Sequence, residues 1–140
     1  TPDEQHTMLT LWCLFGSPLM LGCELTKLDD ATLALLTNRD ILSMLTPDCK
    51  PHQICLDDEK AIWCAYNAVT GEHFAAFFNL SDETQTIHCD IETLHVGDEP
   101  CAHKDASLTE LWSKEKTSVS GSAISVTPPA HGCLVFRVEN

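Results

Sequence analysis

The sequence is short of positive charge. Lys and Arg together number 8 against 21 Asp and Glu, which gives a formal net charge of -13. A protein that binds nucleic acid needs a basic face for the phosphates, and one that binds an anionic membrane surface also needs basic residues. We therefore expect neither nucleic acid nor a membrane as a partner, and we interpret the dispersed acidic residues as solvated surface.

A membrane-spanning run and a leader are also missing. The longest apolar stretch, residues 11–25, is interrupted by Gly, Ser and Pro and is too short to cross a bilayer. The chain starts without Met, on Thr1-Pro2-Asp3-Glu4, a capping box with Pro at the first helical position. We expect a segment of a longer protein, cytoplasmic by preference, or extracellular if the longer protein carries a leader.

The motifs of several chemistries are absent. The sequence has no phosphate loop, no nucleophile elbow and no dinucleotide-binding glycines. Its nearest metal-like pairs are Cys101-x-His103 and His88-Cys89, and no second pair has the spacing of a zinc site. We therefore expect no metal and no cofactor.

Cysteine, in contrast, is abundant, with 8 residues. An even number invites a disulfide framework, but Cys23, Cys64 and Cys133 lie in apolar runs, where a free Cys packs as a small hydrophobic residue. We expect mostly reduced, buried thiols, and the pair Cys49–Cys55 is the best disulfide candidate.

The first third of the chain has the pattern of helix, strand and helix. Apolar residues recur at helical spacing over residues 2–15, and Gly16-Ser17-Pro18 ends that helix. The unbroken apolar run Leu19–Cys23 is typical of a strand buried on both faces of a parallel sheet. Two short helices are predicted next, over 29–36 and 39–45, so the order is that of an αβα unit from a barrel or a doubly wound fold.

The pattern changes after a predicted linker between Pro47 and Pro51. Short segments rich in β-branched and aromatic residues follow at intervals typical of an antiparallel sandwich; they cover residues 61–68, 73–80, 85–91, 110–113, 118–127 and 132–138. We predict two parts, residues 1–48 and 49–140. A complete (β/α)₈ barrel needs about 250 residues, so this chain cannot contain one.

Six segments form a recognisable set: Glu4-Gln5-His6-Thr7-Met8-Leu9-Thr10-Leu11-Trp12, Ser17-Pro18-Leu19-Met20-Leu21-Gly22, Leu35-Leu36-Thr37-Asn38, Ala75-Ala76-Phe77-Phe78-Asn79, Glu110-Leu111-Trp112 and Pro128-Pro129-Ala130-His131-Gly132. Together they resemble segments of the melibiase family, the α-galactosidases and α-N-acetylgalactosaminidases of glycoside hydrolase family 27. The resemblance implies a mainly β fold with a helical N-terminal part: the last αβα unit of a (β/α)₈ barrel, then an antiparallel β-sandwich of Greek-key type. It also implies a parent enzyme that cleaves terminal α-linked galactose with retention.

The resemblance places no catalytic residue in this chain, because both catalytic Asp residues of the family lie on earlier barrel strands. Glu24 stands where the family usually has Asp, at the carboxyl end of the predicted strand, so it is the one candidate for a position near the substrate. The alternative for Glu24 is a structural partner for a nearby cation. Residues 44–48 also differ from the sequence motif that the family usually has at this position.

The expected partners are the remainder of the barrel domain, an α-galactoside substrate bound by the parent enzyme, and a second copy in a homodimer. Two alternative functions stay open, a carbohydrate-binding module and a purely structural or assembly module. Aromatic side chains could stack on sugar rings, although core packing explains most of them; the candidates are Trp63, Tyr66, Phe74, Phe77, Phe78, Trp112 and Phe136.

Overall fold

A computed structural model describes the whole chain, residues 1–140. Three helices come first: α1 (Pro2–Leu14), α2 (Asp30–Leu36) and α3 (Arg39–Leu42). Ten strands follow: β1 (Cys49–Leu56), β2 (Lys60–Asn67), β3 (His73–Asn79), β4 (Ile87–Asp90), β5 (His95–Val96), β6 (Glu99–Pro100), β7 (Ser107–Glu110), β8 (Lys116–Ser118), β9 (Ala123–Val126) and β10 (Cys133–Glu139). The chain is thus mainly β with a helical N-terminal part, as predicted.

Local capping signals set the helix boundaries. The Thr1 hydroxyl accepts a hydrogen bond from the Glu4 amide at 3.2 Å. The Glu4 carboxylate in turn accepts one from the terminal amine of Thr1, which completes the predicted capping box. Helix α1 ends just before Gly16, whose φ of +65° suits Gly. Asp29 and Asn38 cap α2 and α3 through their side-chain oxygens. None of the helices combines the length and the apolar character needed to cross a membrane.

The strands form two packed sheets and a small hairpin. The large sheet has six antiparallel strands in the order β1-β2-β3-β10-β7-β8. A second sheet pairs β4 with β9, and β5 pairs with β6. The pairing of β10 with both β3 and β7 places the last strand of the chain at the centre of the large sheet, so its two neighbours satisfy its backbone groups.

Two hydrophobic cores lie on opposite faces of the large sheet. Alternation along β3 directs Phe77 towards β4 and β9, where the sandwich core forms. Its neighbour Phe78 packs on the other face, against helix residues such as Leu9 and Ile41. Both Phe side chains are fully buried, which confirms that aromatic residues of β3 serve the core. The helical segment, defined here as residues 1–48, is therefore packed on one face of the sandwich.

Residues 19–23 do not form the predicted strand. They belong to no helix or strand, have no sheet partner, and precede a short 3₁₀ helix at Leu25–Lys27. Met20 is 78% exposed and Leu21 44% exposed. A β-strand needs a neighbouring strand for its backbone hydrogen bonds, and none in this chain is paired with this segment.

The predicted linker around Pro51 is wrong, because residues 49–56 form the edge strand β1. Pro is tolerated on an edge strand since it removes no hydrogen bond that a second neighbour would need. The predicted Cys49–Cys55 disulfide is also wrong, because both residues lie on β1 and all eight cysteines are free. Six positions along one strand correspond to roughly 20 Å, which no disulfide spans.

Candidate functional site: an exposed apolar surface on the helical segment

Helix α1 is held on the sandwich by a buried polar contact. The Thr10 hydroxyl is fully buried and accepts from Trp112 Nε1 at 3.0 Å and from the Cys133 thiol at 3.5 Å. The His6 ring stacks on Trp112 with the ring centroids 4.2 Å apart, and the Thr7 hydroxyl donates to the His131 carbonyl at 2.9 Å. His6 therefore helps to hold α1 on the sandwich.

A buried carboxylate fixes the turn that presents Trp112. Glu110 is 4% exposed, and its Oε2 accepts from the amides of Trp112 at 2.9 Å and Ser113 at 2.6 Å. Its Oε1 accepts from the Val135 amide of β10 at 3.2 Å. These bonds explain the segment Glu110-Leu111-Trp112 in structural terms. Glu110 fixes the turn, and Trp112 on that turn contacts α1.

Ionic contacts attach α3 to the sandwich at β10 and at the turn after β7. Asp40 lies 2.6 Å from Lys114 Nζ and 3.0 Å from Arg137 Nη2. The hydrogen bond from Lys114 and, after it, that from Arg137 hold the pKa of the Asp40 carboxyl below its ordinary value against the opposing effect of burial. Asn38 adds a bond from Nδ2 to the Leu111 carbonyl at 3.1 Å. The helical segment is thus docked at several separate points.

The same segment carries most of the exposed large hydrophobic side chains of the chain. Six of the nine exposed large hydrophobic side chains lie between residues 8 and 33: Met8, Phe15, Met20, Leu21, Leu25 and Leu33. We call these six the exposed apolar set. A groove along α1 is lined by Met8, Leu11, Trp12 and Phe15 together with Ser17 and Pro18. Trp12 Nε1 donates to the Pro18 carbonyl at 2.9 Å, which keeps the chain after α1 close to the helix.

So much exposed apolar surface in one short segment is unusual for an isolated domain. Only three of the nine exposed large hydrophobic side chains lie in the sandwich, although it is the longer part of the chain: Leu56, Val69 and Leu80. Apolar side chains of α1 and its C-terminal end also occur on more than one side of the helix, because Leu9 and Cys13 are buried while Met8 and Phe15 are exposed. The arrangement suits a segment that packs against a second structure on its free side.

Glu24 has only local partners in this structure. Its carboxylate lies 2.9 Å from Lys27 Nζ and accepts from the Thr26 hydroxyl at 2.9 Å. The bond from Lys27 and then that from Thr26 lower the pKa of this carboxyl. The side chain is 59% exposed, at the start of the 3₁₀ helix rather than at the end of a strand. In this chain the Glu24 carboxylate is thus paired with a nearby cation, and its place relative to a substrate stays a prediction.

The adjacent acidic pairs are used in turns. Asp29 accepts from the Thr32 amide at 2.7 Å, and this backbone bond lowers the pKa of its carboxyl. Asp57 accepts from the amides of Glu59 and Lys60, both at 2.9 Å, and the same effect follows. These carboxylates therefore accept backbone hydrogen bonds at a helix cap and in a turn.

The aromatic candidates for sugar stacking are occupied. Phe74, Phe77, Phe78 and Phe136 are buried. Each of the three half-buried rings already contacts another ring. The ring centroids of Trp63 and Phe15 are 4.9 Å apart, those of Tyr66 and His73 are 4.6 Å apart, and Trp112 stacks on His6. No group of three or more His, Cys, Asp or Glu side chains is arranged to hold a metal ion.

The polar residues that hold the fold together escaped sequence analysis. Thr10, Asn79 and Glu110 are all buried. The Asn79 amide nitrogen donates to the carbonyls of Glu83 at 2.8 Å and Pro129 at 3.0 Å, so it ties the end of β3 to the turn before β10. The available signal was a polar residue adjoining an apolar run, as in Phe77-Phe78-Asn79.

Comparison with known proteins agrees with this architecture. A sequence profile of the alpha galactosidase C-terminal beta sandwich domain matches residues 57–138. Alpha-galactosidase A of Cellvibrio japonicus is 24% identical over 146 residues, which cover 99% of this chain and 36% of that protein. The Probable alpha-galactosidase D of Aspergillus niger is 24% identical over 99% of this chain and 21% of its own length. The chain therefore spans about a third or less of these curated relatives.

Solved structures share the fold over the full chain. A GH27 β-L-arabinopyranosidase from Geobacillus stearothermophilus superposes with a TM-score of 0.87 and 29% identity, covering 100% of this chain and 31% of its own. The α-galactosidase I of Mortierella vinacea has a TM-score of 0.84 at 17% identity, over 99% of this chain and 36% of its own, and shows likeness of fold. Both superpositions include the helical segment as well as the sandwich.

Proposed function

The chain belongs to the family of alpha-galactosidase C-terminal β-sandwich domains, and from that premise we propose that its helical segment completes the catalytic barrel of a larger enzyme. In this proposal residues 1–48 are the terminal segment of the TIM-barrel domain and residues 49–140 are the accessory sandwich. The larger enzyme is a retaining glycoside hydrolase that cleaves terminal α-linked galactose. The chain by itself is inactive.

The exposed apolar set carries this proposal. One side of the helical segment is docked on the sandwich through Thr10 and Asp40, while side chains such as Met20 remain largely exposed. In a barrel, flanking parallel strands would supply the backbone partners that residues 19–23 lack here. Strands in such sheets are covered on both faces, which accounts for the unbroken apolar run Leu19–Cys23.

The proposed division of labour leaves the chemistry to the rest of the enzyme. A retaining glycosidase needs two carboxyl groups roughly 5–5.5 Å apart on either side of the glycosidic bond. The acidic pairs of this chain are committed to helix caps and turns, as at Asp29 and Asp57. The family resemblance likewise places the catalytic Asp residues on earlier strands.

Glu24 is the one residue of the chain that we propose lies near the substrate. If residues 19–23 pair as a barrel strand, Glu24 follows at the carboxyl end, where the active sites of barrels lie. Its carboxylate would then orient sugar-binding groups by hydrogen bonds in place of its local pairing with Lys27. A second copy of the chain could instead cover the exposed apolar set and form a homodimer.

A chimeric enzyme tests the proposal. The section of Cellvibrio japonicus alpha-galactosidase A that this chain matches, 36% of that protein, is replaced by residues 1–140. We expect the chimera to hydrolyse nitrophenyl α-galactoside. Met20→Asp in the chimera should abolish that activity, because it places a charge in the covered core of the barrel. In the isolated chain the same substitution should change the free energy of unfolding by less than about 0.5 kcal/mol, because Met20 is exposed.

Val69→Asp is the matched control. Val69 is 74% exposed, close to the 78% of Met20, but lies in the sandwich between β2 and β3. The control chimera should stay active. An active chimera that tolerates Met20→Asp would contradict the proposed barrel contact. An isolated chain that sediments as a dimer, and becomes monomeric with Met20→Asp, would favour the second-copy alternative.

A further inference from the structure

Two cysteine thiols meet in the sandwich core and are not used by the proposed function. Cys64 lies on β2 and Cys101 in the connection between β6 and β7; both are fully buried in the core between the sheets. Cys64 pairs directly across from Ala75 on β3. The Cys101 thiol donates to the carbonyl of the preceding residue, Phe74, at 3.2 Å. The two side chains therefore reach the same point of β3, one from the adjacent strand and one from the covering connection.

The environment of the pair separates it from the other buried cysteines. The Cys101 thiol and then burial raise the pKa of the Cys64 thiol far above its ordinary value, because two sulfur anions cannot form side by side in a dry core. The Cys89 thiol, in contrast, lies 3.3 Å from the Thr93 hydroxyl. The Cys133 thiol lies in the other core and donates to Thr10. Cys64 and Cys101 are thus two buried cysteines that lie against the same Phe74–Ala75 stretch of β3.

We propose that Cys64 and Cys101 are a disulfide-forming site, with a low-molecular-weight disulfide such as oxidised glutathione as the oxidant. One protein thiolate attacks the glutathione disulfide, releases one glutathione thiolate and forms a mixed disulfide. The second protein thiolate attacks the protein sulfur of that mixed disulfide and releases the second glutathione. Two protein thiols are oxidised, one oxidised glutathione is reduced to two thiols, and the two protein protons pass to the departing thiolates.

The burial of both sulfurs determines at which stage of folding the disulfide forms. Both thiols are fully buried, and the raised pKa of Cys64 leaves that residue with almost no thiolate to meet a dissolved oxidant. The bond therefore forms while the chain folds, before the sheets close over the pair. The bridge would join β2 to the β6–β7 connection and close a loop of about 37 residues. A cross-link of that length should raise the Tm by roughly 10 °C.

The test is oxidative refolding of the full chain. Residues 1–140 are unfolded with the thiols reduced, then refolded in a mixture of reduced and oxidised glutathione, alkylated with iodoacetamide and digested without reduction. Mass spectrometry should find one peptide pair joined through Cys64 and Cys101, two hydrogen masses lighter than the separate peptides. The oxidised chain should melt roughly 10 °C above the reduced chain.

Variants give an independent reading. The double variant Cys64→Ala, Cys101→Ala should melt at the same temperature in both buffers, while Cys13→Ala, Cys133→Ala, altered in the other core, should keep the redox-dependent shift. The mass measurement needs no variant, so it stands even if a variant fails to fold. Recovery of Cys64 and Cys101 as separate alkylated peptides, or linked to other cysteines, after oxidative refolding would overturn the proposal.

Discussion

Replacement of Glu110 by Ala is the perturbation whose cost the structure defines best. The Glu110 side chain is 4% exposed and accepts hydrogen bonds from three backbone amides, those of Trp112, Ser113 and Val135. Ala removes all three acceptors. The Val135 amide is in the core and is left without a partner, which costs about 1–3 kcal/mol. The other two amides lie in a turn that water can reach, so each adds about 0.5–1 kcal/mol.

The expected total is a loss of about 3 kcal/mol in the free energy of unfolding. Urea titration followed by Trp fluorescence measures it, because Trp112 lies on the turn that Glu110 shapes. Glu110→Gln keeps the size and one acceptor oxygen, so it should cost about half as much. Glu115→Ala, on an exposed neighbour, should change stability by less than about 0.5 kcal/mol. If Glu110→Ala unfolds within about 0.5 kcal/mol of the unaltered chain, the reasoning on buried acceptors is refuted.

Three further predictions follow from the same contacts. Thr10→Val keeps the shape but loses the acceptor for the Trp side chain, so it should cost about 1–2 kcal/mol in urea titration, whereas Thr10→Ser should cost less. Lys114, the main cause, lowers the pKa of Asp40, so the stability that this carboxylate contributes is full above about pH 4 and is lost as the pH falls through the depressed pKa. The stability difference between the unaltered chain and Asp40→Asn should therefore shrink on acidification, and a constant difference would contradict the pairing. Iodoacetamide should label the exposed Cys23 before the buried Cys133, whose pKa burial raises to about 11, and equal labelling rates of the native chain would contradict that burial.

Local signals in the sequence decide where the helices begin and which residues of β3 are buried. The capping box at Thr1 and the caps at Asp29 and Asn38 act within one helical turn, so the three helices start where predicted. The alternation along β3 is also local, and it predicted that one or both of the adjacent Phe77 and Phe78 lie in the core. The residues carry these features regardless of what surrounds them.

The failures have a different physical origin, since they depend on neighbours remote in sequence. The apolar run Leu19–Cys23 matches the pattern of a buried strand, but no strand of this chain pairs with it. Pro51 suggested a linker, and only its place on a sheet edge makes it compatible with β1. The buried roles of Thr10 and Glu110 depend on contacts more than 20 residues away in the sequence, with Trp112 and with Val135, that no local pattern encodes.

Glu24 marks the limit of both kinds of reasoning. The sequence places it after a predicted strand, and the structure pairs it with Lys27 at 2.9 Å on an exposed turn. A role near the substrate requires the rest of the proposed barrel. In the active chimera, Glu24→Gln tests that role, because the substitution preserves the size of the side chain and removes its charge.

In the proposed function, this chain contributes structure and the rest of the larger enzyme contributes the catalytic carboxylates. The most direct measurement is the turnover of nitrophenyl α-galactoside by purified residues 1–140. The account predicts no hydrolysis above that in protein-free buffer, even at high protein concentration. Hydrolysis that follows the purified chain through chromatography and disappears when one of its own carboxylates is replaced would contradict the account.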